Sequence, residues 1–212
     1  MRTLLASATI LAAQVVSAAT PIDGWYGSVF GGYAYLPGNI NSTWNGSNRT
    51  DATYHAGFDA GGSFGFKSNP LRYEGELTYV NANLSRFSIN NVSQTGVHGY
   101  SEALLGMANV YYDFPECINA ISPFVGVGIG YGWVSGRFTS QGPSGYTRYT
   151  GANSVFAYQP TVGLTFNFAE NYALTAAYRY VGTDRVDDFG KVFQAHMANL
   201  GIVYRFNEVT YK

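Results

Sequence analysis

From Pro123 to Val134 the chain alternates two kinds of residue without a break. Pro123, Val125, Val127, Ile129, Tyr131 and Trp133 stand on one side, and Phe124, Gly126, Gly128, Gly130 and Gly132 on the other. Period two marks a β-strand, because successive side chains of a strand point to opposite faces. Here one face is bulky and apolar and the other is nearly bare. Residues 71–80 alternate with a different chemistry. Leu71, Tyr73, Gly75, Leu77 and Tyr79 face one way, and Arg72, Glu74, Glu76 and Thr78 the other. A soluble sandwich would turn the apolar face inward and the charges to water. A membrane barrel turns the apolar face to lipid and lines its interior with polar groups. One strand fits both arrangements, and the full set of strands separates them.

Eight strands are expected, near 24–36, 56–67, 71–81, 99–113, 122–134, 155–167, 171–182 and 194–206. The links at 37–55, 82–98, 135–154 and 183–193 are long and rich in Asn, Ser, Gly and Thr. Those at 68–70, 114–121 and 168–170 are short. A meander with long loops at one end and short turns at the other is the pattern of a membrane barrel, and a sandwich has no reason to alternate so regularly. Strands of about 11 residues, tilted, also match the hydrocarbon thickness. The fold class that follows is all-β, an eight-stranded antiparallel up-and-down transmembrane β-barrel.

Composition supports this choice. Only 12% of the residues are charged, against roughly 25% in an ordinary soluble domain. Aromatics reach 17%, with 26 Gly, which suits a large surface that does not face water and argues against disorder. A net charge of -1 gives no support for a nucleic-acid partner. Aromatic rings are expected where strands cross the membrane interfaces. Tyr111, Tyr112 and Phe114 are placed at the end of the fourth strand, and Tyr131 and Trp133 at the end of the fifth. Phe166, Phe168 and Tyr172 flank the turn between the sixth and seventh, and Tyr204 and Phe206 end the eighth.

The first nineteen residues read as an address. Met1 and Arg2 give a positive start, Leu4 to Val16 is largely apolar, and Ser17, Ala18 and Ala19 supply small residues. This is a secretory signal peptide over 1–19, too short for a spanning helix, with the barrel domain over 20–212. The single cysteine, Cys117, excludes an intramolecular disulfide framework and a thiolate zinc cluster. No large periplasmic domain is expected after the last strand.

Alternation turns Asp59, Arg72, Glu74, Glu76, Asn109, Gln159, Thr165, Arg179, Asn199 and Arg205 inward. Buried charges are costly unless paired and hydrogen-bonded. Arg72, Glu74, Glu76, Arg179 and Arg205 are therefore expected to form an interior polar network, with Arg179 paired to Glu74 or Glu76. Such pairs fill a small barrel, whose interior is just wide enough for side chains. A gated pore or a ligand site is the sharper alternative. Catalytic signals are thin. His55, His98 and His196 are far apart and match no metal spacing, and no nucleophile–base–orienter set can be assembled around them. No catalytic residue, cofactor or metal is expected. His196 reads as an interfacial side chain facing lipid.

Three stretches carry a resemblance. They are MANVYYDF (Met107 to Phe114), SPFVGVGIGYG (Ser122 to Gly132) and FAYQPTVGLTF (Phe156 to Phe166). YRYVG at Tyr178 to Gly182 and NLGIVYRF at Asn199 to Phe206 extend it in order. Together they resemble the outer-membrane β-barrel domain shared by OmpA-like and opacity-type bacterial surface antigens. The resemblance covers essentially the whole mature chain. It implies a place in the outer membrane of a diderm bacterium, with outer-membrane lipid, lipopolysaccharide and the barrel-assembly machinery as partners. The resemblance says little about activity, because function lives in loops and sites and not in the fold; the role expected is that of a surface-exposed structural protein and surface antigen, with loops that bind a host or matrix ligand. A narrow porin-like channel is the alternative, and a lipid-modifying enzyme a further one. The family's closing strand usually ends the chain on an aromatic residue. Here Asn207 to Lys212 follow Phe206, so either Tyr211 takes that role or the strand ends at Phe206 with a short tail.

Overall fold

The computed structural model describes residues 23–37, 43–44, 48–89, 92–93, 95–116, 120–142, 145–186 and 191–206. The segment 1–19 expected as a signal peptide, Cys117, most of residues 38–47 and the tail after Phe206 lie outside the described residues. The ring is built from eight strands: β1 (Gly24–Tyr35), β4 (Gly57–Ser68), β5 (Leu71–Ile89), β7 (Thr95–Asp113), β8 (Ile121–Gly142), β9 (Gly145–Asn167), β10 (Tyr172–Val186) and β11 (Lys191–Arg205). Each pairs antiparallel with its neighbours in that order, and β11 returns to β1, from Tyr26↔Arg205 to Tyr35↔His196. Closure satisfies every ladder in lipid and leaves the ring no free edge. Three short strands are added at one end. β2 (Thr43–Trp44) pairs β3 (Asn48–Tyr54), β3 pairs the far part of β5, and β6 (Val92–Ser93) folds back on β5.

The eight strands lie where the alternation puts them, but several run much further. The spans 82–98 and 135–154, expected as long loops, are mostly ladder. β5 and β7 stay in register to Asn83↔Tyr100, and β8 and β9 zip from Ile121↔Phe166 to Gly142↔Gly145. The link at 37–55 likewise contains β3. The physical reason is that lipid limits the apolar pattern and not the strand. Above the hydrocarbon the outward residues become polar, so the sequence looks like loop. Thr, Tyr and Ser still suit a pleated surface, and cross-strand pairs keep the ladder going.

The outward face is apolar at mid-height, where Val127 is 67% and Leu200 72% exposed. Two belts of rings border it. Trp25, Tyr73, Tyr112, Phe114, Phe168, Tyr172, Tyr204 and Phe206 lie at the end of the short turns. Tyr33, Tyr35, Phe58, Tyr131, Trp133, Phe156 and Tyr178 lie towards the long hairpins. Tyr131 and Trp133 thus belong to the second belt without ending their strand. Tyr111 belongs to neither, since it faces the bore and meets Phe124 edge to face. In barrels of this kind the long hairpins point out of the cell and the short turns face the periplasm.

The bore is filled in two zones. Its outer half holds an apolar cluster that includes Val80, Leu84, Ala103, Leu105, Val134, Ala157, Val181 and Met197. Its inner half and middle hold the buried charges. The bare face of β8 makes room for them. A Cβ at Gly126 would run into the Tyr111 ring, and one at Gly128 into the Asn109 side chain.

Candidate functional site

The middle of the bore is organised around Glu76, whose side chain is fully buried. Burial of a carboxylate demands partners, and four residues supply them. Thr78 Oγ1 donates to Glu76 Oε1 at 2.7 Å, Asn109 Nδ2 to Oε2 at 3.1 Å and Gln159 Nε2 to Oε1 at 3.3 Å. Arg179 Nη1 lies 3.2 Å from Oε1. The strand order explains the convergence. Asn109 on β7 and Gln159 on β9 are both in register with Gly128 on β8. With no side chain between them, both amides reach the same carboxylate. The Arg179 guanidinium also sits over the Phe30 ring, 3.8 Å from its centroid, where cation–π attraction adds to the ion pair. Gly32 plays the same part as Gly128. It separates Asp59 from Asn199 in register, and the Asn199 amide donates to the Asp59 carboxylate across it.

Nearer the periplasm lies a second cluster. Arg72 Nε donates to Asp113 Oδ1 at 2.8 Å, and its Nη1 to Glu74 Oε1 at 3.1 Å. Lys67 Nζ is 3.3 Å from Asp113 Oδ2, and Tyr26 donates to Glu74 at 2.5 Å. The guanidinium lies over the rings of Tyr111 and Phe124, 4.8 and 4.7 Å from their centroids. Arg205 donates to Asn167 Oδ1 at 2.5 Å and to the Glu170 carbonyl at 3.3 Å. Lys67, Arg72, Asp113, Thr165, Asn167 and Arg205 border a cavity of about 20 Å³. That is room for a single water.

The five residues expected to form one network all face the bore, but they divide between these clusters. Glu76 stands with Arg179, and Glu74 with Arg72. Arg205 meets an amide and a backbone carbonyl instead of a carboxylate side chain. Sequence reasoning missed Asp113, Tyr26 and the inward turn of Lys67. The available signal was parity: Asp113 shares its face with Asn109, and Lys67 with Asp59. The histidines stand in three separate places. His196 faces outward, where its Nδ1 is 2.6 Å from the Tyr178 hydroxyl and its ring lies against Tyr35 and Tyr180. His98 is exposed on β7, while Ser101 faces the bore, so those two side chains do not meet as nucleophile and base. His55 is exposed beside β4. Among the described residues no group of three His, Cys, Asp or Glu is placed to hold a metal ion.

The family described as outer membrane protein beta-barrel domain matches residues 3–206. A protein of Gluconacetobacter diazotrophicus described as an outer membrane protein is 34% identical over 201 residues, covering 86% of this chain and 53% of the relative. The chain thus spans about half the length of that relative. Among solved structures, Neisserial surface protein A superposes with a TM-score of 0.56 at 16% identity, covering 86% of this chain and 97% of its own. OprG of Pseudomonas aeruginosa gives 0.55 at 11% identity, covering 89% and 100%. At such identities the likeness is one of fold.

Proposed function

The chain belongs to the outer-membrane β-barrel domain family, and from that premise we propose that it is a closed-bore surface protein acting through the hairpins it raises above the membrane. One observation carries the reading. The β5–β7 and β8–β9 ladders continue well past the outer aromatic belt, while the bore beneath them is occupied by Leu105, Met197, Val80 and Val181. The structured part that meets the exterior is therefore the hairpin wing, and binding at its edges and tips gives an adhesion or surface-antigen role. The partners implied are lipopolysaccharide and other outer-membrane lipid around the wall, the barrel-assembly machinery during insertion, and a host or matrix molecule at the tips. The alternative of a narrow channel is disfavoured because ions cross an apolar constriction poorly. The reading assigns no catalytic role.

The test replaces residues 137–150 with a short turn and compares cells displaying the full and the trimmed protein. Heat-modifiable gel migration checks that the trimmed barrel is folded. Binding to immobilised matrix proteins and to host cells is expected to fall to background with the trimmed form. Equal binding by both forms overturns the proposal.

A further inference from the structure

The charges of the bore balance as a set but not along its length. At the periplasmic mouth three cations, Lys67, Arg72 and Arg205, face two carboxylates, Glu74 and Asp113. In the middle Arg179 stands alone against Glu76 and Asp59. Formally the mouth holds a surplus positive charge and the middle a surplus negative one.

The surplus at the mouth falls on Arg205. Lys67 and Arg72 share Asp113, and Arg72 also holds Glu74. Arg205, only 6% exposed, has neutral partners, the Asn167 side-chain oxygen and the Glu170 carbonyl. The carboxylates of Asp23, Glu116 and Glu170 belong to exposed residues at the same end of the barrel. Among the described residues none of them is ion-paired with a cation of the mouth. A buried guanidinium without a counter-charge is costly. Arg72 adds a second unmet demand, since its Nη2 is buried with no hydrogen-bond partner.

The size of the cavity selects what can answer that charge. It measures about 20 Å³, and Ser122 and Thr165 border it together with the three cations. These two hydroxyl-bearing residues are in register across β8 and β9, and both are buried in the bore. Ammonium and guanidinium groups offer only donors, and hydroxyls can turn theirs inward. Room for one water suits a halide ion, which is little larger, and is too small for phosphate or sulfate. Lys67, Asp113, Asn167 and Arg205 all lie within one residue of their strand ends. An ion reaching them from the periplasm has no apolar layer to cross.

We infer that the periplasmic mouth of the bore binds a single small monovalent anion of the halide class, chloride in ordinary media. Arg205 is its principal ligand, with Lys67, Arg72 and the Ser122 and Thr165 hydroxyls around it. The site belongs to the inner end of the barrel and not to the hairpins, so it and the surface-protein reading fail separately.

The experiment adds the full protein, refolded in an uncharged detergent, to sodium chloride and measures the width of the chloride NMR resonance. A quadrupolar ion broadens when a slowly tumbling protein holds it. Wild type is expected to broaden the line beyond detergent alone. Bromide should reverse the effect, and gluconate at the same ionic strength, too large for the cavity, should not. Arg205→Gln is expected to weaken chloride binding about tenfold, the scale of one charge-assisted hydrogen bond. Asp113→Asn removes a competing carboxylate and is expected to tighten it. Heat-modifiable gel migration selects folded protein, and misfolding does not mimic a gain in affinity. No excess broadening by wild type overturns the proposal by leaving the cavity to water. Displacement by gluconate as readily as by bromide overturns it by moving the ion to the outer surface. Either folded variant binding chloride as wild type does overturns it as well.

Discussion

At the residue scale the bore is held by a few charges whose partners come from distant strands. Arg179 and Glu76 form the central pair, and removing one partner of a buried pair leaves an uncompensated charge. Arg179→Ala is therefore expected to destabilise the folded barrel by roughly 3–5 kcal/mol. Adding Glu76→Gln should recover part of the loss. Urea unfolding in detergent micelles, followed by tryptophan fluorescence, measures both, and strict additivity would show that the two side chains do not interact. Glycines give a second test. Gly128→Ala drives a Cβ into Asn109 and displaces that amide from Glu76, a cost of about 1–3 kcal/mol for overpacking. Gly106→Ala meets nothing closer than a carbonyl at 4.0 Å, so the same measurement should find it close to neutral. Which residues face the bore was legible in the sequence, because period two fixes a face once one member is assigned. Which charges meet was not. Arg72 reaches Asp113, 41 residues away, through a register between strands that no single strand encodes.

At the scale of the strand, the lipid-facing segments could be read and their ends could not. The alternation that reveals β8 stops near Val134, where hydrocarbon stops demanding an apolar exterior, yet the ladder runs on to Gly142. Ser135 to Gly142 carries a polar outward face and reads as loop. The extension is testable by hydrogen exchange on the protein in nanodiscs. Amides of residues 134–137 and 150–153 are expected to exchange far more slowly than unstructured chain, because they lie in the paired β8–β9 ladder. Exchange at the unprotected rate would return this span to a loop. The same pairing bears on proteolysis. Arg137 and Arg148 look like loop cleavage sites in the sequence, but within a ladder they should resist trypsin applied to intact cells. Rapid cutting after either would contradict the extended hairpin.

At the scale of the whole molecule, closure and filling act together. Closure makes the barrel a single cooperative unit in lipid. The filling decides whether anything passes through it. The described bore sets Lys67, Arg72, Arg179 and Arg205 against Asp59, Glu74, Glu76 and Asp113, so its formal charges balance. Above them Leu105, Met197, Val80 and Val181 are fully buried, each less than 2% exposed. A neutral polar floor beneath an apolar layer is a poor path for ions, which supports the closed-bore proposal. Architecture and location were legible in the sequence because lipid imposes them on every strand. The apolar outer half of the bore was not, because expectation had filled the interior with polar residues and overlooked how many alanines, valines and leucines share the inward parity beyond Thr78. Single-channel recording of the purified, refolded protein in planar bilayers tests this central claim most directly. The filled bore predicts a flat current trace at all moderate voltages, and reproducible unitary steps from the wild-type protein would contradict it.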